Sequence, residues 1–419
     1  MIEYFLDIYF FRTLFLVVTI STAVLSFSKN SDVFSPVKIY LVFNVFFYLD
    51  IYISEYNVYV CMVYLLQCLV IFFCAFFEGE HKNSEPSSID FPLKVVIAIW
   101  LLSFVSILNQ IYIISELGGI VNYIGNIAYR VEFFKGRGYV IVLNNLIAIM
   151  NVAYFTIIVA SKNRTFKHKI FFFLHFTFFV CIALLSGSRS FLLVTVLVEI
   201  LIFHYMYRKF SILKLTPFIA GIIFLVALLG GIRNSVSTAE GEIRVKNEGE
   251  FSMEVTHFKY GLIPLEIILN YEEVVEYHLG STYLSLFTNF IPRAVFPDKL
   301  DSGGIVFTKE YTGNQWGGLS NLATGSVTEG IINFGYSFGV VVGIAFLAFF
   351  MLLGVKVYGN INKVINGKNS VFILPLYLYL ILAFARLSYS EFSYTFYTYT
   401  IYYFIPIFMI YFLSRLKIK

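Results

Sequence analysis

The sequence predicts an all-α polytopic integral membrane protein of about eleven transmembrane helices with one large outer loop. Three observations predict it. Only 13% of the 419 residues are charged, 59% are hydrophobic and mean hydropathy is +0.79, whereas soluble domains carry about one quarter charged residues. Apolar runs of membrane length recur along the chain, and a bilayer core needs about 20 such residues in a helix. The runs are continuous and not alternating, which excludes a barrel, the other architecture that satisfies its backbone in lipid.

In chain order the spans fall near 4–26, 36–54, 58–77, 92–114, 139–160, 168–186, 190–207, 214–232, 329–354, 370–386 and 392–413. The first carries Glu3 and Asp7 where a cleaved signal peptide has a basic segment, so it reads as a retained helix. The chain divides into 1–232 with helices 1–8, a large polar loop at 233–328, and 329–419 with helices 9–11. Within the loop, 254–277 reads as one amphipathic helix and the aromatic run 283–291 suits an interface. All four cysteines lie in apolar segments, so the loop has no disulfide staple, and no metal-ligand spacing appears. The net charge of +4 comes from basic membrane edges and implies no nucleic-acid partner.

Basic connections belong in the cytoplasm. Lys29 and Lys38, Lys82 and Lys94, the set Lys162 to Lys169, Arg208 to Lys214, Lys356 to Lys368 and the tail Arg415 to Lys419 occupy every second connection. The segments 115–138, 186–190, 233–328 and 387–391 then face outward. The inward set holds 14 of the 19 lysines but three of the 11 arginines. Arg12, Arg130, Arg137, Arg189, Arg233, Arg244, Arg293 and Arg386 remain outside. Arginine is the better bidentate phosphate ligand, so this bias points to an anionic ligand; scattered surface pairing is the plainer alternative, above all for Arg12 and Arg244.

Four motifs stand at that surface. Ser186-Gly187-Ser188-Arg189 opens a helix, whose free N–H groups favour anions. Ile291-Pro292-Arg293 holds Arg293 between prolines, with Lys299 following. Gly313 to Gly318 encloses Trp316, a ring able to stack on sugars or to sit at the lipid interface; without a Gly-Lys-Ser/Thr ending it is no nucleotide loop. Thr324 to Gly335 carries Glu329 and Asn333, which share a helix face. Glu329 is either a helix cap or a general base. Arg386 lies just before Glu391, and a local ion pair is its simple alternative. His175 and Glu199 fall at similar depth in consecutive spans and read as a structural pair.

At Ser186 to Arg189, at Ile291 to Arg293 with Lys299, at Glu329 with Asn333-Phe334-Gly335, and in its eleven-span layout with one large outer loop, the chain resembles the Wzy-type oligosaccharide repeat unit polymerases, the O-antigen polymerase family. The resemblance spans roughly 115 to 391. It implies a GT-C-like membrane glycosyltransferase in the bacterial cytoplasmic (inner) membrane, with its active site facing the periplasm. The implied reaction builds O-antigen or capsule polysaccharide. The growing glycan leaves undecaprenyl pyrophosphate and joins a hydroxyl of an incoming lipid-linked repeat unit. The donor is already activated, so the expectation is no metal and no cofactor. Glu329 is the expected catalytic base. Arg189, Arg293, Arg386 and Arg233 are expected to bind pyrophosphate, with Arg130, Arg137, Lys299, Asn333 and Trp316 as further substrate contacts. Partners are the lipid-linked oligosaccharides and membrane lipid; a chain-length regulator is left open. The alternatives are the related O-antigen ligase, for which His257 and His278 are the only outer histidines, and a lipid-linked oligosaccharide flippase or transporter, which predicts charged or broken midplane helices and repeated halves.

Overall fold

Helices occupy the apolar runs, and several begin where the sequence supplies a starting residue. Pro36 opens a helix because its missing N–H is unneeded in the first turn. The Asn57 side chain accepts from the backbone N–H of Tyr59 at 3.0 Å, and Thr165 forms a capping box with His168. The computed structural model describes residues 8–80, 88–125, 134, 136–186, 189–211, 236–239, 242–245, 259–271, 274–291, 295–313 and 322–415.

The elements run α1 (Ile8–Lys29), α2 (Pro36–Phe47), α3 (Val58–Phe76), α4 (Leu93–Glu116), α5 (Ile120–Gly125), α6 (Gly138–Ala160), α7 (Phe166–Leu185) and α8 (Arg189–Met206). A two-stranded antiparallel hairpin follows, β1 (Val236–Ala239) and β2 (Glu242–Val245), with Val236 opposite Val245. Three short helices come next, α9 (Leu262–Leu269), α10 (Ser281–Thr288) and α11 (Gly303–Tyr311). The chain ends through α12 (Gly325–Phe334), α13 (Tyr336–Tyr358), α14 (Ile361–Ile365), α15 (Ser370–Arg386), α16 (Phe392–Tyr399), a π-helical turn at Thr400–Phe404, and α17 (Ile405–Arg415).

Among the described residues, seven helical stretches are long and apolar enough to cross a membrane: Tyr9–Lys29, Val58–Phe76, Leu93–Glu116, Gly138–Ala160, Phe166–Leu185, Tyr336–Tyr358 and Phe392–Arg415. This is the architecture of a polytopic membrane protein. Shorter apolar helices stand at Pro36–Phe47, Phe191–Met206 and Ser370–Arg386, where spans 2, 7 and 10 are expected. The expected span 214–232 lies outside the described residues.

Two expectations are corrected. The amphipathic helix expected over 254–277 is helical only at Leu262–Leu269 among the described residues. It ends at Asn270-Tyr271, polar and aromatic residues that interrupt the apolar run. The ninth span does not begin at 329. Gly335 breaks the run with φ 81° and ψ 177°, a conformation open to glycine. Residues 325–334 form the separate helix α12, which doubles back along α13. A Cβ on Gly330 would stand 2.2 Å from the Gly339 carbonyl oxygen, and one on Gly343 would stand 2.5 Å from the Val327 Cα. Backbones approach this closely only where side chains are absent, the usual device for packing helices that water does not drive together.

Contacts divide the chain into two units. The first comprises Met1–Asn83, Glu254–Ile361 and Leu380–Tyr399; the second comprises Ser84–Met253, Asn362–Tyr379 and Thr400–Lys419. In the first, Phe15 of α1 meets the Tyr64 ring edge-on at 4.9 Å and Tyr48 stacks on the same ring. Leu265, Phe307 and Ile331 carry this core onto α9, α11 and α12. In the second, Ile147, Phe179 and Leu192 join α6, α7 and α8. Asn109 there donates to Asn144 at 2.6 Å, and Asn144 to Gln110 at 2.7 Å, so the Asn144 and Gln110 side-chain oxygens on the α4–α6 face have donors.

Candidate functional site

The first unit brings two carboxylates together, and helix geometry explains how. Glu329 and Asn333 are one turn apart on α12 and both bond to Thr282 of α10. The Thr282 hydroxyl donates to Glu329 Oε1 at 3.0 Å and accepts from Asn333 Nδ2 at 2.7 Å. Asn333 also donates to the Glu329 carbonyl at 2.7 Å, and its Oδ1 accepts from the Gly280 N–H at 2.8 Å. Glu329 Oε2 accepts from the Phe392 N–H at 2.6 Å, at the start of α16. Glu329 is fully buried.

Glu391 precedes Phe392 and is the second carboxylate. It is also buried. Both carboxylates lie against the first residues of α11. A Cβ on Gly303 would stand 3.0 Å from Glu329 Cγ, and one on Gly304 would stand 2.9 Å from Glu391 Oε1. Ser302 Oγ lies 3.5 Å from Glu391 Oε1, and the Gly304 and Thr324 amides face the same carboxyl. A helix N-terminus favours negative charge, so α11 opposes part of the cost of burying two acids.

Burial and the adjacent Glu391 carboxylate push Glu329 up to about 8. Burial also raises Glu391, against the pull of these amides and the Arg386 charge. Two acids whose charges act on each other titrate as a pair. The sign for stability follows. Glu329 binds its proton more tightly in the fold than at its ordinary value of 4.5, so its stabilisation is complete below about 4.5 and is lost as pH rises to about 8. Thermal unfolding of the detergent-solubilised protein is expected to move down in temperature over that window. In Glu329→Gln the fall is expected to be shallower, and equal slopes would contradict the shift.

Hydroxyl groups line the seam beside the pair. Ser326 Oγ donates to the Leu387 carbonyl at 2.9 Å, which fixes α12 against the turn after α15. Along this seam Thr324 Oγ1, Thr328 Oγ1, Ser390 Oγ, Ser393 Oγ and Glu391 Oε2 are buried and have no hydrogen-bond partner among the described residues. Buried polar atoms ordinarily have partners, so this seam is suited to a ligand rich in hydroxyls. Leu322, whose carbonyl oxygen stands 2.7 Å from a Cβ built on Gly304, lines a cavity of about 440 Å³ with Tyr271, Tyr311, Asn270 and Thr312.

The structure sorts the remaining sequence candidates. Arg386 ends α15, and its charge acts on Glu391, Tyr389 and Tyr394. Lys299 is half-buried, with Nζ 3.4 Å from the Ile291 carbonyl. Arg189 opens α8 and Arg137 precedes α6, both in the second unit, with Arg137 3.8 Å from Glu116. Arg130, Arg233, Arg293, Trp316 and His257 lie outside the described residues. Arg12 donates to the Ser54 carbonyl at 2.7 Å.

Sequence reasoning missed two groupings. Ser302-Gly303-Gly304 is the cradle of the carboxylates, and its signal was a small-residue start to a short apolar helix. Glu276, His278 and Glu310 bring one ligand atom each within 4.8 Å of one another, and His278 Nε2 lies 2.9 Å from Glu310 Oε1. A cation could be held there, although no such spacing shows in the sequence. The expected direct pair of His175 and Glu199 is corrected as well, because Asn151 lies between them. No family model, curated protein or solved structure matches the chain.

Proposed function

We propose that the protein is a membrane glycosyltransferase that polymerises lipid-linked oligosaccharide repeat units, with the Glu329–Glu391 pair and Arg386 in its active site. The observation that carries this reading is the buried carboxylate pair beside a seam of unpartnered hydroxyls and an arginine. Sugar hydroxyls match such a seam, and tyrosine rings such as Tyr271 suit the faces of sugar rings.

The chemistry balances without a further reactant. The acceptor hydroxyl oxygen attacks the anomeric carbon of the donor glycan, and the bond from that carbon to the pyrophosphate oxygen breaks. The hydroxyl proton passes to the carboxylate pair, and the leaving pyrophosphate takes the electron pair. Glu391 presents an oxygen with no partner among the described residues, so it is the group that receives the proton, while burial keeps Glu329 protonated. Arg386 stabilises the charge developing on the leaving group. On the lysine alternation this end of the bundle faces the periplasm of a bacterial inner membrane. The full set of eleven spans, and Arg293 as a further pyrophosphate ligand, belong to the same proposal.

The test is incubation of the purified protein with an undecaprenyl-pyrophosphate-linked repeat unit. A ladder of lengthened glycans supports the reading. Transfer to lipid A-core in place of a ladder would make the protein a ligase, and movement of unlengthened substrate across a vesicle would make it a flippase. Arg386→Lys keeps the charge and loses the planar fork. It is expected to cut the polymerisation rate at least about tenfold, the effect of losing roughly 1.4 kcal/mol of transition-state stabilisation, at normal insertion. Full activity in that variant would remove Arg386 from the site.

A further inference from the structure

The second unit holds a directed hydrogen-bond chain that the proposed reaction does not use. Ser103 of α4, His175 of α7, Asn151 of α6 and Glu199 of α8 are all buried. Asn151 Nδ2 lies 2.5 Å from Glu199 Oε1, so the amide donates to the carboxyl. The Asn151 oxygen then faces His175 Nδ1 at 2.9 Å. An amide oxygen only accepts, so Nδ1 carries the hydrogen. In the neutral ring Nε2 keeps a lone pair and accepts from the Ser103 hydroxyl at 2.7 Å. Every donor in the chain points toward Glu199.

Glu199 also opens onto space. It lines a cavity of about 480 Å³ with Phe155, Val196, Phe203, Tyr207 and Arg208. A water needs roughly 30 Å³ in the liquid, so the cavity has room for several. Its lining extends from Glu199 to the segment following α8, which carries Arg208 and Lys209. An ionisable side chain inside a membrane helix is costly, and one that meets a cavity marks a path for ions or protons. A sealed structural pair would have no such opening.

We propose that Glu199 is a proton-binding site, loaded from water in this cavity, with the neutral His175 ring holding the Asn151 amide turned to donate to its carboxyl. A hydronium ion gives its proton to the carboxylate and leaves as water. Asn151 does not pass the proton, because its amide would have to ionise; its N–H donates to the carboxyl oxygen and so favours the ionised form. The titratable and charged groups around the site are His175 on α7, Tyr154 on α6, Tyr379 on α15, and His204, Tyr207, Arg208 and Lys209 along and after α8. The apolar walls of Phe155, Val196 and Phe203 admit small hydrophobic reagents as well as water.

Dicyclohexylcarbodiimide reacts with protonated carboxyls in apolar surroundings and reads this directly. The full-length protein in native membranes is treated at a series of pH values, digested, and the peptide containing Glu199 is analysed by mass spectrometry. The expected result is an adduct on Glu199 that declines as pH rises, with the pH of half-labelling displaced in Asn151→Leu. No adduct on wild-type Glu199 at any pH, or labelling that does not vary with pH, would overturn the site. Coincident profiles for wild type and Asn151→Leu would overturn the role given to Asn151. Wild-type labelling needs no variant to fold.

Discussion

Glu391→Gln is expected to slow polymerisation by about 10²–10⁴-fold, the usual contribution of a positioned general base, while the lipid-linked donor is retained. Glu391 has the exposed role by geometry. Its Oε2 has no partner among the described residues, whereas both oxygens of Glu329 are taken, one by Thr282 and one by the Phe392 N–H. Glu329→Gln is expected to keep most of the rate at neutral pH. A glutamine fits that position, with its oxygen accepting from Phe392 and its amide donating to Thr282, and it resembles the protonated acid that burial favours there. The two variants should also differ in pH dependence. As pH rises through about 8, Glu329 ionises and places a second negative charge beside the donor pyrophosphate. The donor KM of the wild type is therefore expected to rise through that range, and the KM of Glu329→Gln to stay level. Rate per correctly inserted protein and donor retention are the measurements. The reverse order, with Glu329→Gln crippled and Glu391→Gln active, would make Glu329 the base that the sequence alone suggests. Loss of donor retention in both would mark structural damage and remove the pair from proton transfer.

The sequence made legible what depends on length and local spacing. Membrane helices follow from apolar runs, and Glu329 and Asn333 reach one partner because helical neighbours four apart share a face. The break at Gly335 was present as Asn333-Phe334-Gly335, a plausible helix end, but the apolar count on both sides hid it. Proximity between distant segments was not legible. Nothing local joins Glu391 to Gly304 or Thr282 to Glu329, and Asn151 belongs to a third helix that comes between His175 and Glu199. Charge bias singled out Arg386 together with Arg189, yet these residues fall in different units; an outward charge count carries no information on which arginines converge. The hydroxyl seam was invisible for another reason. Serine and threonine are common in membrane helices, and only burial without a partner distinguishes those along 324–328 and 390–393.

The largest structural effect is expected at the α12–α13 contact. A Cβ on Gly339 would stand 2.4 Å from the Gly330 carbonyl oxygen and 2.6 Å from the Ile331 Cα. These are backbone atoms, so no rotamer change relieves the clash and the helices must separate. Overpacking of this kind costs about 1–3 kcal/mol and sometimes more, with valine at the upper end because its branch also lies in the contact. The consequence for function is direct. Glu329 sits one residue before Gly330, and moving α12 draws its carboxyl away from Thr282 and from the Phe392 N–H, so the acid pair loses its geometry. Gly339→Val is therefore expected to lower the thermal unfolding temperature and abolish polymerisation, and Gly339→Ala to do both in smaller measure. Gly79 supplies the control, because a Cβ there meets nothing within 4 Å; Gly79→Ala is expected to be neutral. If Gly339→Val unfolds and polymerises as the wild type does, α12 does not pack on α13 as described, and the carboxylate pair is held by other means.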